Sequence, residues 1–235
     1  IDLKRVVRRK MSKQKRNTYK PRQDNRYLIG RKYSDFLMYM EKNPDAKVVE
    51  MDTVYNDMSN GPFLQTFKFI QYDLLICIYQ TVKDSLHMLD GILLLEEILG
   101  KQMFEKEVEV ILTDRGSEFV LAEEAERRED GTRRTRMFYC DSMASWQKGS
   151  LENVHLLVRE ICPKGCDLHA LGLTSQEKAN LISTNINSYP KEKLHGRSSI
   201  QLLHFYNEEM AKRLHDFGIT EIPPDEVILK PYLLK

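Results

Sequence analysis

The sequence lacks any apolar run of about 18 residues, the length that a membrane-spanning helix requires. Its most hydrophobic helical segment, residues 86–99, is interrupted by Asp90, Glu96 and Glu97. A secretory signal pattern is also missing from its first residues. We therefore expect a soluble, cytoplasmic protein that does not bind membranes.

Cysteine is scarce, and the four residues of this type are Cys77, Cys140, Cys162 and Cys166. Cys162 and Cys166 are close in sequence, but the three residues between them do not give the spacing of a zinc ribbon. A paired histidine spacing does not accompany them either. We interpret all four as reduced residues of the core or of loops and assign them no metal ion.

Negative charge is almost absent from the first 32 residues, which contain 13 basic side chains against Asp2 and Asp24. This segment has a net charge of +11, so the rest of the chain, whose total is +1, has a charge of −10. A basic arm favours a polyanion as partner, because neutralising phosphates releases their counterions. The alternative is a solvated linker. The arm residues that we expect to contact phosphate are Arg8, Arg9, Lys10, Lys13, Lys15 and Arg16.

Hydrophobic periodicity and turn residues predict the order of secondary structure. We expect strands near residues 46–54, 63–70, 74–80, 108–112 and 136–140. Helices are expected over residues 33–41, 84–99, 151–161, 174–187 and 199–217, with a short helix from Ser117. Residues 122–136 are expected to form an exposed insertion or a charged hairpin, and residues 226–234 an extended end. This order predicts an α/β fold of the ribonuclease-H-like class, a mixed five-stranded sheet flanked by helices, with a helical C-terminal extension. The expected parts are a basic arm with a short helix (1–45), the core (46–205) and a C-terminal helix with an extended tail (206–235).

Carboxylates stand where apolar strands end. Asp114 follows a buried strand and precedes a glycine-containing turn, a position on the rim of a sheet where a carboxylate can face a metal ion. Asp52 ends another apolar run, and Glu152 lies in the helix over residues 151–161. We predict that these three converge. Glu50 shares a strand face with Asp52 and is the alternative to it.

Three segments carry a family likeness: Val-Glu-Met-Asp-Thr-Val (49–54), Leu-Thr-Asp-Arg-Gly-Ser-Glu-Phe (112–119) and Ser-Trp-Gln-Lys-Gly-Ser-Leu-Glu-Asn (145–153). They resemble the integrase-like catalytic core of bacterial insertion-sequence transposases of the DDE type, closest to the insertion-sequence-30 family. The likeness extends through Pro163-Lys164-Gly165 and residues 186–191 to Gly196. It departs from the family pattern at Arg115, at Ser142 and in the charged insertion.

The resemblance implies that Asp52, Asp114 and Glu152 are the catalytic triad. Three bare carboxylates would repel one another, whereas two Mg²⁺ ions, replaceable by Mn²⁺, would relieve the repulsion. Such ions, about 3.5–4 Å apart, stabilise both oxygens of an in-line displacement at phosphorus. The activity implied is cleavage and strand transfer of double-stranded DNA, at transposon ends and target, by a nucleoid-associated homo-oligomer. Because the chain starts at Ile1, we also expect an upstream DNA-binding domain.

Around the triad we expect DNA contacts from Arg115, Trp146, Lys148, Asn153, His155, Arg159 and Lys164. For His155 the alternative is a packed or exposed histidine without a ligand. Trp146 either stacks on a base or fills the core beneath its loop. Two other functions stay open: a metal-dependent nuclease on the same fold, and a DNA-binding protein that has lost catalysis.

Overall fold

A computed structural model describes residues 25–56 and 61–235. The six arm residues predicted to contact phosphate, Arg8 to Arg16, lie outside the described residues. Within the described ranges, no helix is both long enough and apolar enough to cross a membrane. Cys77, Cys140, Cys162 and Cys166 are all free thiols, of which the first three are buried and Cys166 is exposed.

The described strands form one five-stranded sheet in the order β3-β2-β1-β4-β5. Its strands are β1 (Val48–Val54), β2 (Phe63–Phe69), β3 (Leu74–Gln80), β4 (Val110–Thr113) and β5 (Arg136–Tyr139). β1 pairs antiparallel with β2 and β2 with β3, whereas β1 and β4, and β4 and β5, are parallel. The predicted ribonuclease-H-like class is therefore confirmed. The fourth strand starts at Val110 rather than Val108.

Helices cover both faces of the sheet. They are α1 (Tyr33–Lys42), α2 (Ser85–Leu99), α3 (Lys101–Glu107), α4 (Ala122–Glu126), α5 (Gly149–Ile161), α6 (Leu168–Leu171), α7 (Gln176–Ser188), α8 (Ser199–Tyr206) and α9 (Glu208–Phe217). The single helix expected over 199–217 is wrong, because it is divided at Asn207. The side chain of Asn207 accepts a hydrogen bond from the amide of Met210 and thereby caps α9.

Alternate residues of β1 face different layers. Val49 and Met51 belong to a large apolar cluster with α2 and α9. Val54 belongs to a second cluster with α5 and α7. Since side chains alternate along a strand, Glu50 and Asp52 share the face of Val54 and lie on the side of α5.

The helix α7 supplies polar side chains to the outer edge of β3. These side chains bond the backbone amides and carbonyls that a neighbouring strand would otherwise bond. The pairs are Leu75 with Asn187, Cys77 with Ser183 and Gln176, and Tyr79 with Gln176. The backbone hydrogen-bonding groups at the edge of β3 are thus paired with side chains, and this also prevents the edge from pairing with another chain.

The opposite polar side of α7 holds the C-terminal segment. Thr184, Ser188 and Asn185 accept hydrogen bonds from the backbone amides of Thr220, Ile222 and Ile228 respectively. The end of the chain, predicted to be extended, contains short 3-10 turns at Pro224–Glu226 and Pro231–Leu234. Leu234 is buried beside α5 and α7, so the C-terminal residues complete the second apolar cluster.

A buried charge cluster links the β2–β3 turn to the loop before α8. Asp73 accepts hydrogen bonds from the ammonium groups of Lys68, Lys191 and Lys193, and Lys191 also donates to Ser199. Burial alone would raise the pKa of Asp73, but the charge of Lys68 and the lysine hydrogen bonds outweigh it and hold this pKa at about 2. Burial and the charge of Lys191 lower the pKa of Lys68 to about 7.

The charged insertion is buried only in part. Residues 122–126 form α4, whose Ala122 and Ala125 are buried in the large apolar cluster. Arg127 and Arg133 form an antiparallel bridge, so the part around the Asp130-Gly131 turn is a small charged hairpin, and residues 129–133 are exposed. Arg134 is buried and pairs with Glu96 of α2 at 2.6 Å. The first and last parts of the segment are therefore held against the protein, while its middle is open to solvent.

We predict that Asn187→Ala lowers the free energy of unfolding by about 2 kcal/mol, because it leaves the buried amide and carbonyl of Leu75 without partners. Urea denaturation followed by circular dichroism measures this. Asn153→Ala, at an exposed position of α5, serves as the control and is expected to change little. Equal stability of the two variants would contradict the role assigned to α7.

We predict that Asp73→Asn destabilises the protein by about 3 kcal/mol at neutral pH, since it leaves the clustered lysines without their anion. The folded pKa of Asp73 is about 2, below the ordinary 3.8, so its stabilising contribution is present above about pH 4 and is lost as the pH falls through about 2. Denaturation curves between pH 7 and pH 2 should show the gap between wild type and variant closing in acid. Asp45→Asn, at an exposed position, is the control; a pH-independent gap would contradict the account.

Candidate active site

Asp52 and Asp114 lie side by side at one edge of the sheet. β1 and β4 are parallel neighbours, and their register pairs Glu50 with Leu112. Asp52 and Asp114 each lie two residues further along. Backbone amides bond one oxygen of each carboxylate: Thr53 donates to Oδ1 of Asp52 at 2.7 Å, and Gly116 donates to Oδ1 of Asp114 at 2.8 Å. The Oδ2 atoms are left for another partner.

That partner is the ammonium group of Lys148. Its Nζ lies 2.9 Å from Oδ2 of Asp52 and 4.0 Å from Oδ2 of Asp114, and it donates to the carbonyl of Met51 at 3.3 Å. The side chain is 4% exposed. Lys148 reaches this position from a 3-10 turn (Ser145–Lys148) that immediately precedes α5. A single cation therefore faces both carboxylates.

The charges of this group act on each other through a partly desolvated space. Burial raises the pKa of Asp114, the charge of Lys148 opposes the rise and that of Asp52 adds to it; the net direction is upward. Burial would lower the pKa of Lys148, but Asp52 and Asp114 outweigh it and raise this pKa. Two carboxylates sharing one ammonium keep an excess of negative charge, as a cation site requires.

Glu50 binds the start of α5, whereas Asp52 binds the ammonium of Lys148. It is 4% exposed, and its Oε2 accepts a hydrogen bond of 2.5 Å from the amide of Leu151 in the first turn of α5. Burial raises its pKa, while the amides of Leu151 and Ser150 and the charge of Lys148 act in the opposite direction. A carboxylate at the start of a helix satisfies free amides and interacts favourably with the helix dipole. Glu50 therefore joins β1 to α5.

Glu152 lies in the first turn of α5 and is exposed. The structure brings Asp52 and Asp114 together but does not place the Glu152 carboxylate in contact with them. Among residues 25–56 and 61–235, no three His, Cys, Asp or Glu side chains lie close enough to hold one metal ion. The triad as a metal site stays a prediction, with two members adjacent and the third one helical turn beyond Lys148.

The residues predicted to contact DNA divide by exposure. Trp146 is 71% exposed, and its ring meets that of Tyr33 edge to face at 6.4 Å, so it does not fill the core. Asn153 and Lys164 are also exposed. Arg115 forms an ion pair of 2.8 Å with Asp141. Trp146, Asn153 and Lys164 are therefore open to a large ligand, whereas the guanidinium of Arg115 is engaged by Asp141.

His155 and Arg159 point into the protein. The Nε2 atom of His155 lies 3.0 Å from the hydroxyl of Thr66, and burial lowers the pKa of His155 to about 4, so it is uncharged at neutral pH. Arg159 donates to the side chain of Asn56 at 2.6 Å and to the carbonyl of Tyr55 at 3.1 Å. These contacts favour a structural role for both residues over the phosphate contact that their sequence positions predict.

The sequence pattern did not predict the contacts that Glu50 and Lys148 make. For Glu50 one signal was available, because a carboxylate inside an apolar strand needs a partner. For Lys148 no such signal was available, because its spacing of four residues from Glu152 does not indicate that its ammonium lies between two aspartates that are distant in sequence. The contact joins residues 96 positions apart.

No protein-family model matches the chain. A curated relative is the transposase for insertion sequence element IS1086 of Cupriavidus metallidurans, which is 37% identical over 68 residues. That segment is 29% of this chain and 19% of the relative, so the match spans about a fifth of the relative's length. Over this segment the chain is similar to a transposase.

Two solved structures of the HTLV-2 integrase catalytic core domain in complex with magnesium, a trimeric and a dimeric form, also align with the chain. Both are 15% identical to it and are covered over 94% of their length, corresponding to 66% and 67% of this chain. Their TM-scores are 0.42 and 0.39. At such scores the alignments do not bear on the chemistry of the site.

Proposed function

We propose that this chain contains the catalytic core of an insertion-sequence transposase of the DDE type, which cleaves and joins DNA strands by metal-dependent phosphoryl transfer. The observation that carries the proposal is the pair Asp52 and Asp114, on adjacent parallel strands and facing the ammonium of Lys148. The similarity of 68 residues to a transposase supports it. By the resemblance of its three sequence motifs, we assign the chain to the insertion-sequence-30 family.

The donor set suits Mg²⁺ or Mn²⁺. Asp52 and Asp114 offer carboxylate oxygens, which hard divalent cations prefer, and the positive charge of the Lys148 ammonium lies beside both of them. When bound, two such ions activate the attacking oxygen and stabilise the leaving oxygen of an in-line displacement. Asp52 and Asp114 would hold them.

We assign the third ligand position to Glu152. The start of its helix is attached to β1 by the hydrogen bond from Leu151 to Glu50 and by the contacts of Lys148. These contacts place the first turn of α5 beside the carboxylate pair. The Glu152 side chain is exposed and makes no hydrogen bond within the described residues, so it is free to turn toward a cation.

The chain's own contribution to DNA binding comes from its exposed polar and aromatic side chains. Trp146 presents an aromatic face on which a base can stack, and Asn153 and Lys164 can donate to phosphate oxygens. The basic arm adds sequence-independent affinity for double-stranded DNA. Joining two transposon ends to a target calls for more than one copy of the chain, so we propose a homo-oligomer on DNA.

We predict that Asp52→Asn, Asp114→Asn and Glu152→Gln each reduce Mg²⁺- or Mn²⁺-dependent nicking and strand transfer by at least about a hundredfold, because each removes a charge that holds the cations. The measurement uses supercoiled plasmid with the purified chain. Glu160→Gln, at an exposed position of the same helix, is the matched control and should retain activity.

Three outcomes would contradict the assignment in different ways. Nicking that persists in Asp114→Asn would show that the carboxylate pair is not the active site. Nicking without strand joining would favour a metal-dependent nuclease. Salt-dependent DNA binding without any nicking by the wild-type chain would favour a DNA-binding protein that has lost catalysis.

We predict that Glu50→Gln lowers activity less than about tenfold, or about 1.4 kcal/mol, because the amide oxygen still accepts the hydrogen bond from Leu151. Glu50→Ala removes the acceptor and should lower both activity and stability, the latter by about 2 kcal/mol. Plasmid nicking and thermal unfolding measure the two effects. If Glu50→Gln were as inactive as Asp114→Asn, Glu50 would be a metal ligand and not the residue that positions α5.

A further inference from the structure

Lys148 occupies the position between the two aspartates that a divalent cation would need. Its Nζ is hydrogen-bonded to Oδ2 of Asp52, and that oxygen is the one that no backbone amide bonds. The same Nζ faces Oδ2 of Asp114, whose other oxygen is bonded by Gly116. The two oxygens free for a metal are therefore the two that Lys148 faces.

A divalent cation held by both aspartates would lie between their Oδ2 atoms, in the space that the Nζ of Lys148 occupies at 2.9 Å from one oxygen and 4.0 Å from the other. Mg²⁺ binds its oxygen ligands at about 2.0–2.1 Å, so the ion and the ammonium compete for the same space. Their like charges also repel each other. Metal binding between the two aspartates thus requires that the Lys148 ammonium move away.

The surroundings of Lys148 leave space for its side chain to move toward the surface. It belongs to the turn at the start of α5, between the exposed Trp146 and Gly149, and its flexible stem carries a compact charge with three donors. At Gly149, the next residue, an added Cβ would meet no atom within 4 Å, so there is open space directly beside Lys148. A released ammonium would lie on the surface that we propose faces DNA, where phosphate oxygens are its natural partners.

We propose that Lys148 is a displaceable cation: it neutralises Asp52 and Asp114 in the metal-free protein, competes with divalent metal for them, and is released by metal to bind a DNA phosphate. This rests on the proposed function, because it assumes that the two aspartates hold metal. Linkage is reciprocal, so a phosphate that binds Lys148 also favours metal binding. Metal loading and DNA binding would then support each other.

The test is the affinity for Mn²⁺ in the absence of DNA, measured from the paramagnetic resonance signal of the free ion. Lys148→Met removes the competing charge but keeps an unbranched side chain, and we expect it to bind Mn²⁺ roughly tenfold more tightly than the wild-type chain. Lys212→Met, at an exposed position of α9, is the matched control and should bind like wild type. Unchanged or weaker binding by Lys148→Met would overturn the proposal.

A second measurement on the wild-type chain covers the case in which Lys148→Met fails to fold. Acetylation of lysines by an amine-reactive reagent, read by mass spectrometry, should be slow at the buried Lys148 without metal and several-fold faster with saturating Mn²⁺. Continued protection of Lys148 at saturation would overturn the proposal. If Asp114-dependent nicking is present while Lys148 stays protected, the proposed function stands and only the competition fails. If metal exposes Lys148 to the reagent but the chain does not nick DNA, the competition stands and the proposed function fails.

Discussion

The candidate site depends on the attachment of α5 to the central strand β1. The carboxylate of Glu50 accepts the amide hydrogen of Leu151, and the ammonium of Lys148 bonds both the carbonyl of Met51 and the carboxylate of Asp52. Strand and helix are distant in sequence, yet these contacts fix where the helix begins and so where Glu152 lies. The two carboxylates of β1 have separate tasks, since one holds a helix and the other faces a cation.

This attachment is stable because the rest of the fold holds β1 in the middle of the sheet. On the outer side, α7 satisfies the edge of β3 with amide and hydroxyl side chains, and Asp73 holds the β2–β3 turn against the loop before α8. Polar groups that are costly to bury are paired at each of these places. The carboxylate pair differs from them, because its two negative charges share one ammonium.

Much of the fold was predictable from the local sequence pattern, and the features that were not predicted have physical explanations. Apolar stretches separated by turn residues predicted β1 to β3 within about two residues, and Asp52 and Asp114 were predictable as carboxylates at the ends of apolar runs. The division of residues 199–217 into two helices at Asn207 was not predicted, because a capping side chain interrupts an otherwise continuous helical period. The burial of Arg134 was not predicted because its partner, Glu96, comes from a helix that is remote in sequence. The position of Lys148 is of the same kind, a tertiary contact that periodicity does not record.

The central claim is that Asp52 and Asp114 form a cation site now satisfied by Lys148. A crystal structure of the chain soaked with Mn²⁺, with the ion located by anomalous scattering, tests it most directly. The account predicts a Mn²⁺ peak contacted by both aspartates, with Glu152 turned toward it and the Lys148 ammonium displaced. A Mn²⁺ peak elsewhere, with Lys148 still between the two carboxylates at saturating metal, would contradict it.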